Sequence, residues 1–128
     1  MIFKSEKLKE EFYSVPAMLQ VMATHFEQLC VAYYKKEPVI TRVREKVEGS
    51  SGVHEAGRGI DFRYEHGDEI FVSEHDAQFL VSEMNRKFTR TDSRKTMMLH
   101  SFNGGPKHFH LQLQAGHEND EVDCSVLI

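Results

Sequence analysis

The sequence predicts an α+β domain with a small, mostly antiparallel sheet and packed helices. Two observations carry this prediction. Apolar residues recur at three- and four-residue spacing in two segments, and short runs rich in β-branched and aromatic residues are separated by glycine-containing turns. Helices and hairpin-connected strands in this order are typical of that class. The chain has 128 residues, 40% of them apolar, so we expect one domain over residues 1–128.

Three helical segments are predicted. A short charged helix is expected in residues 4–13, within an N-terminal segment of residues 1–15. A longer helix follows Pro16, because proline suits a first helical turn. The segment Lys35-Lys36-Glu37-Pro38 is expected to end it, because proline disfavours helical geometry in the residue before it. Its core stripe comprises Met18, Leu19, Met22, Phe26, Leu29, Cys30 and Tyr33.

The third helix has its own start signal. Ser73 can cap it, with Asp76 three residues further on. The side chains expected to face inward are Phe79, Leu80, Met84 and Phe88.

Strands are predicted in residues 39–44, 60–64, 95–102 and 107–114. The last one alternates strictly, so it has two distinct faces. Phe109, Leu111 and Leu113 share the core face, and His108, His110, Gln112 and Gln114 share a face that looks into a groove or solvent. We expect a solvated loop from Glu65 to Glu69, and residues 115–128 are either a tail or a docked edge strand.

Composition excludes several function classes. Sixteen Lys and Arg against twenty Asp and Glu give a formal charge of −4, so no strongly basic field attracts nucleic acid or a membrane surface. Cys30 and Cys124 are too few for a disulfide framework or a cysteine-type zinc site. The first residues show no apolar leader, and we expect synthesis in the cytoplasm without a signal peptide.

Histidine and aspartate carry the main chemical signal. His54 and Asp61 flank two glycines, Gly57 and Gly59, which allow the backbone to turn and approach itself closely. Asp61 lies in a strand suited to burial, where a carboxylate needs a cation, a set of hydrogen-bond donors or a metal ion. With His110 they make a two-histidine, one-carboxylate set of the kind that binds catalytic zinc. The alternatives are a structural His–Asp hydrogen bond and surface histidines.

These residues resemble those of the zinc peptidases of the D-Ala-D-Ala carboxypeptidase and hedgehog-like fold. The resemblance lies in the stretch from Ser51 through His54, Gly57 and Asp61, followed by a late strand carrying His108-Phe-His110. The segment 39–44 also looks like the strand that ends in a substrate-binding arginine. The similarity runs from about residue 38 to residue 114.

The resemblance implies zinc held by His54, Asp61 and His110. It implies that His108 helps to stabilise the oxyanion, and that Arg44, or Arg42 given a one-residue ambiguity, binds the substrate. The implied activity is hydrolysis of a peptide bond in peptidoglycan stem peptides, of the D,D or L-Ala–D-Glu type. Small members are phage endolysins, so the protein is expected to act on the cell wall, either after release or as part of a virion.

The sequence departs from the family pattern at the general base. The residues before His110 contain no carboxylate, and Lys107 is a poor base unless it is strongly desolvated. His100, on the neighbouring strand, is the best substitute, because an unperturbed imidazole titrates near pH 6.5; a solvated strand histidine is the alternative. Glu48 and Glu55 are weaker candidates. Gly52 also stands where the family has its motif serine, and Gly59 replaces an alanine.

Three functional hypotheses follow from the sequence. The first is a zinc peptidase acting on peptidoglycan peptides. The second is a catalytically silent relative that binds metal and serves as a binding module or phage structural module. The third is an interaction domain without metal, in which the histidine cluster is incidental.

Overall fold

The structure, a computed structural model, describes residues 1–46 and 51–122, and within them it is a mixed α/β fold. These residues form three helices: α1 (Glu6–Phe12), α2 (Ala17–Tyr34) and α3 (Glu74–Lys87). They also form seven strands: β1 (Ile2–Phe3), β2 (Val39–Arg42), β3 (Gly59–Arg63), β4 (Glu65–His66), β5 (Glu69–Ile70), β6 (Met97–His100) and β7 (His108–Gln112). Glu48, Cys124 and the end of the 115–128 segment lie outside the described residues.

The main sheet has the strand order β1-β2-β3-β7-β6. β1 pairs in parallel with β2, and the other neighbours pair antiparallel. The prediction of an α+β fold with a mostly antiparallel sheet is therefore confirmed. The predicted loop at Glu65–Glu69 is instead a short hairpin of β4 and β5, which turns at Gly67 with φ of 61°.

The helices begin and end at recognisable caps. The Ser5 hydroxyl accepts a hydrogen bond from the Leu8 amide, and the Ser73 hydroxyl accepts one from the Asp76 amide, as predicted for α3. α2 ends at Tyr34, where the predicted stop segment begins. Its cap is Lys35, whose φ of 54° is left-handed and whose N–H bonds back to the Val31 carbonyl.

The core lies between one face of the sheet and the helices α2 and α3. Phe26 of α2 packs its ring 4.6 Å from the ring of Phe62 on β3 and 5.1 Å from that of Phe109 on β7, measured between centroids. Tyr33, predicted for the core stripe, is 60% exposed instead, in the last turn of α2. Phe79 lies edge-on against Tyr33 and is only partly buried.

The opposite face of the sheet carries a polar row. Because β3 pairs with β2 and β7, and β7 with β6, the register sets Arg42, Asp61, His110 and Met98 side by side across four strands. His100 and His108 are also direct partners, two residues further along their strands and on the same side of the sheet. Within the described residues, no helix has the length and apolar character needed to cross a lipid bilayer.

Candidate metal centre

Three ligand-type side chains converge on this face of the sheet. Oδ1 of Asp61 lies 3.2 Å from Nε2 of His54 and 2.8 Å from Nδ1 of His110. The three donor atoms lie within 4.8 Å of one another, and all three residues are buried, with exposures of 3%, 3% and 7% for His54, Asp61 and His110. This group can hold a metal ion.

Local backbone structure brings the three residues together. Asp61 and His110 are direct partners in the β3–β7 register. His54 lies in a turn before β3. The turn ends at Gly57, which has a left-handed φ of 73° and donates its N–H to the His54 carbonyl. At Gly59 a Cβ atom would lie 3.3 Å from Cε1 of both His54 and His110, so both rings need a glycine there to approach Asp61.

Both imidazole rings use their outer nitrogen to donate to a protein oxygen. His54 Nδ1 lies 2.8 Å from the carbonyl oxygen of Val43, which can only accept, so Nδ1 carries the hydrogen. His110 Nε2 lies 3.0 Å from Oε1 of Gln112, and in this orientation of the amide Nε2 is the donor. The remaining nitrogens, His54 Nε2 and His110 Nδ1, point at the carboxylate. Metal-binding histidines commonly have this arrangement.

The spacing of the donor atoms is compatible with a bound metal ion. Two neutral imidazole nitrogens and a carboxylate oxygen that face each other repel unless a cation lies between them. Zinc bonds of about 2.1 Å in tetrahedral geometry set neighbouring ligand atoms about 3.4 Å apart. The observed separations of 3.2 Å and 2.8 Å from Oδ1 need only a small expansion to reach that value.

Without a metal ion, the hydrogen bonds that Asp61 accepts keep its carboxylate ionised. Burial by itself would raise the pKa of Asp61, but hydrogen bonds from His110 and His54, with the charges of His54 and His108, outweigh burial and lower it well below its ordinary value. Asp61 is therefore an ionised ligand at neutral pH.

The walls of the site contain further basic groups. On the Oδ2 side of Asp61, Nε2 of His108 lies at 3.4 Å and Nη1 of Arg42 at 3.8 Å. The ring of His100 lies 4.8 Å from that of His108 and 5.4 Å from that of His110, between centroids. His100 Nε2 and Arg42 Nη2 are buried and have no hydrogen-bond partner among the described residues.

His100 is held in its neutral form. Burial, followed by the charges of His108 and His110, lowers its pKa below the ordinary value of 6.5. A neutral imidazole with an unpartnered nitrogen is available to accept a proton.

The structure places Arg44 outside the site. Its Nε donates to the Ser14 hydroxyl at 2.9 Å, and its Nη2 donates to the Ser14 carbonyl at 3.0 Å. Its guanidinium also covers Gly57, where a Cβ atom would approach within 2.7 Å of Nη2. Arg44 therefore ties the His54 turn to the end of α1, while Arg42, the alternative, faces Asp61.

A β-bulge explains why Arg42 faces Asp61. Ile40 pairs with Phe62, but Arg42 pairs with Asp61, so the register shifts between them and Thr41 is the extra residue. Without the bulge, Arg42 would share the core face with Ile40. The bulge turns the guanidinium to the polar face.

An open cleft of about 260 Å³ lies over the centre. It is lined by Arg42, Ser51, Val53, His54, Asp61, Met98, His100, Phe102, His108, His110 and Gln112. Among these described lining residues, Asp61 is the sole carboxylate. Glu55 is exposed on the outer side of the turn, and the Nζ of Lys107 lies 3.6 Å from Glu74 Oε1.

The sequence did not predict the two groups that orient the candidate histidine ligands, the Val43 carbonyl and the Gln112 side chain. The Val43 carbonyl leaves no trace in the sequence. Gln112 was recognisable by its position two residues after His110, on the same face of the strand.

Comparison of the chain with protein-family models, with curated proteins and with solved structures finds no match. The findings on this site are therefore those of the structure itself: a buried His54–Asp61–His110 group that can hold a metal ion, at the base of a cleft with basic walls.

Proposed function

We propose that this protein is a zinc-dependent hydrolase that cleaves a peptide bond in peptidoglycan stem peptides, of the D,D or L-Ala–D-Glu type. The observation that carries the proposal is the convergence of two imidazole nitrogens and one carboxylate oxygen under an open cleft, with both rings oriented by protein oxygens. The choice of substrate rests on the sequence resemblance.

Three protein ligands, the number found among the described residues, suit a catalytic rather than a structural zinc ion. His54, Asp61 and His110 would hold the ion and leave a fourth position toward the cleft, whereas structural zinc sites have four protein ligands. When bound, zinc supplies Lewis acidity and lowers the pKa of a bound water to about 7. Nitrogen and carboxylate ligands suit zinc better than magnesium or calcium, which prefer oxygen.

The chain's own basic residues would handle charge around the scissile carbonyl. Arg42 and His108 lie on the side of Asp61 away from His54 and His110, and both can donate to a carbonyl oxygen that gains negative charge or to a substrate carboxylate. Removing one such donor typically costs about 10²–10³-fold in kcat.

His100 would take the part of the missing carboxylate base. Its neutral ring and its unpartnered Nε2 on the cleft wall support this role. His100→Gln should lower kcat while leaving zinc binding close to that of the unaltered chain, because the ring is not one of the three converging donors.

A second candidate is a metal-binding relative without catalytic activity, serving as a binding module or phage structural module. The observation that favours it is that Asp61, already used as a ligand, is the only carboxylate among the described residues that line the cleft. Its metal centre would be the same.

Digestion of purified sacculi separates these candidates. The zinc-loaded protein is incubated with sacculi or with D-Ala-terminated peptides, and the released fragments are identified by mass spectrometry. The proposal expects fragments that disappear after chelation and in His54→Ala, but persist in His75→Ala, the matched control on an exposed helix position. Full zinc occupancy with no release above the His54→Ala background would overturn the hydrolase and favour the silent relative.

A further inference from the structure

We propose that Gln112 is a positioning residue that decides which nitrogen of His110 is free to bind the metal ion. This inference rests on the metal centre of the proposed function. It does not depend on which bond, if any, the protein cleaves.

The His110 ring makes one contact through each of its nitrogens. Nδ1 lies 2.8 Å from Oδ1 of Asp61, and Nε2 lies 3.0 Å from Oε1 of Gln112. A neutral imidazole has a single N–H, so the hydrogen sits on one side of the ring and a lone pair on the other. In the orientation seen here, the Gln112 oxygen can only accept, so it holds the hydrogen on Nε2 and directs the Nδ1 lone pair at the position between His110, Asp61 and His54.

Glutamine differs here from the carboxylates that often orient metal-binding histidines. Its amide can rotate by 180° and offer NH₂ instead of oxygen. In that orientation Nε2 accepts from Gln112, and the ring hydrogen lies on Nδ1 and is donated to Asp61. Both orientations leave every buried polar atom of the ring paired, so Gln112 suits the metal-free and the metal-bound centre alike.

The change between the two hydrogen positions on the His110 ring conserves the number of protons. The hydrogen leaves Nδ1 as a proton and another proton arrives at Nε2, so His110 releases no net proton when Nδ1 becomes a ligand. The main chain of Gln112 need not move, because its N–H is fixed to the Thr96 carbonyl at 2.8 Å. Rotation of the side-chain amide is sufficient.

The second histidine ligand has no such freedom. His54 Nδ1 faces the main-chain carbonyl of Val43, which cannot become a donor, so its Nε2 is always directed at the centre. Of the two imidazoles, His110 is therefore the one whose ligand atom depends on a replaceable side chain.

The inference is tested by measuring zinc affinity in competition with a chromophoric chelator. Four proteins are compared: the unaltered chain, Gln112→Leu, Gln112→Glu and Gln114→Leu. Loss of an orienting partner typically weakens metal binding by about 10–100-fold, and we expect a loss in that range for Gln112→Leu. Gln112→Glu keeps an acceptor and should bind zinc at least as tightly as the unaltered chain. Gln114→Leu is the matched control, because Gln114 bonds to Thr91 and not to a ligand.

A second readout reports the tautomer directly. Two-bond ¹⁵N correlations of the His110 ring should show the hydrogen on Nε2 in the zinc-loaded protein, and on Nε2 even without zinc in Gln112→Glu. A thermal melt of each chelated variant checks that it is folded.

Two results would overturn the inference: equal zinc affinity in Gln112→Leu and the unaltered chain, or an equal loss in Gln112→Leu and Gln112→Glu. Failure of the unaltered chain to bind zinc would overturn the metal centre and, with it, the proposed function. Zinc binding that depends on Gln112 without any hydrolysis would support this inference and contradict only the proposed activity.

Discussion

Gly59→Ala tests whether the two imidazoles need the space that glycine leaves beneath them. The added Cβ would lie 3.0 Å from Val53 Cγ1 and 3.3 Å from Cε1 of both His54 and His110, so the neighbours must move by a few tenths of an ångström. Backbone strain does not enter, because Gly59 does not have a positive φ. Metal–ligand distances vary by only about 0.2 Å, so displacement of this size in two ligands at once should weaken zinc binding by about tenfold or more.

The variant is assayed by chelator competition for zinc and by urea unfolding in excess chelator. Overpacking of a close contact typically costs about 1–3 kcal/mol, which sets the expected loss of stability of the metal-free protein. Val53→Ala in the same variant removes the 3.0 Å contact but leaves both histidine contacts, so zinc binding should stay weak while stability partly recovers. Unchanged zinc affinity in Gly59→Ala would refute the proposed packing of the centre.

The remaining predictions concern the core, the cleft wall and pH. Burial raises the pKa of Cys30 to about 12, so a thiol reagent at pH 8 should label it only on unfolding. Phe26→Ala should lower the free energy of unfolding by about 3–5 kcal/mol in urea, since it removes a ring packed between α2 and the sheet. Arg42→Ala should reduce hydrolysis, whereas Arg44→Ala should reduce thermal stability and leave the cleft contacts of Arg42 intact. The pKa of Asp61 is lower in the folded than in the unfolded protein, so the ionised Asp61 stabilises the metal-free fold at pH values above its unfolded pKa of about 3.9. This stabilisation is lost as the pH falls further. Urea unfolding in chelator should therefore show that Asp61→Asn loses less stability than the unaltered chain between about pH 5 and pH 2.

Much of the fold could be predicted because local patterns and tertiary structure agree. Strict alternation in residues 107–114 separates the core face of β7 from its polar face, and in the structure Phe109, Leu111 and Leu113 are buried in the core. The cap at Ser73 likewise marks the start of α3. The hairpin at Glu65–Ile70 was missed because two-residue exposed strands carry no apolar alternation.

The candidate site could be predicted in part. His54, Asp61 and His110 come together as expected, because glycines flank the turn and an acid in a buried strand needs a partner. The exchange of Arg44 for Arg42 could not be predicted, since the two have the same strand parity. The bulge at Thr41 turns Arg42 to the polar face, and β2 ends at Arg42, so Arg44 lies beyond the strand. A main-chain acceptor such as the Val43 carbonyl depends on the folded geometry and not on residue type.

The most direct test of the metal centre is a zinc titration of the chelator-stripped protein by calorimetry, with elemental analysis of the product. We predict one zinc ion per chain, lost in Asp61→Ala and in His110→Ala and retained in His75→Ala. A protein that binds no zinc, or one whose zinc is unaffected by replacing Asp61 and His110, would contradict it.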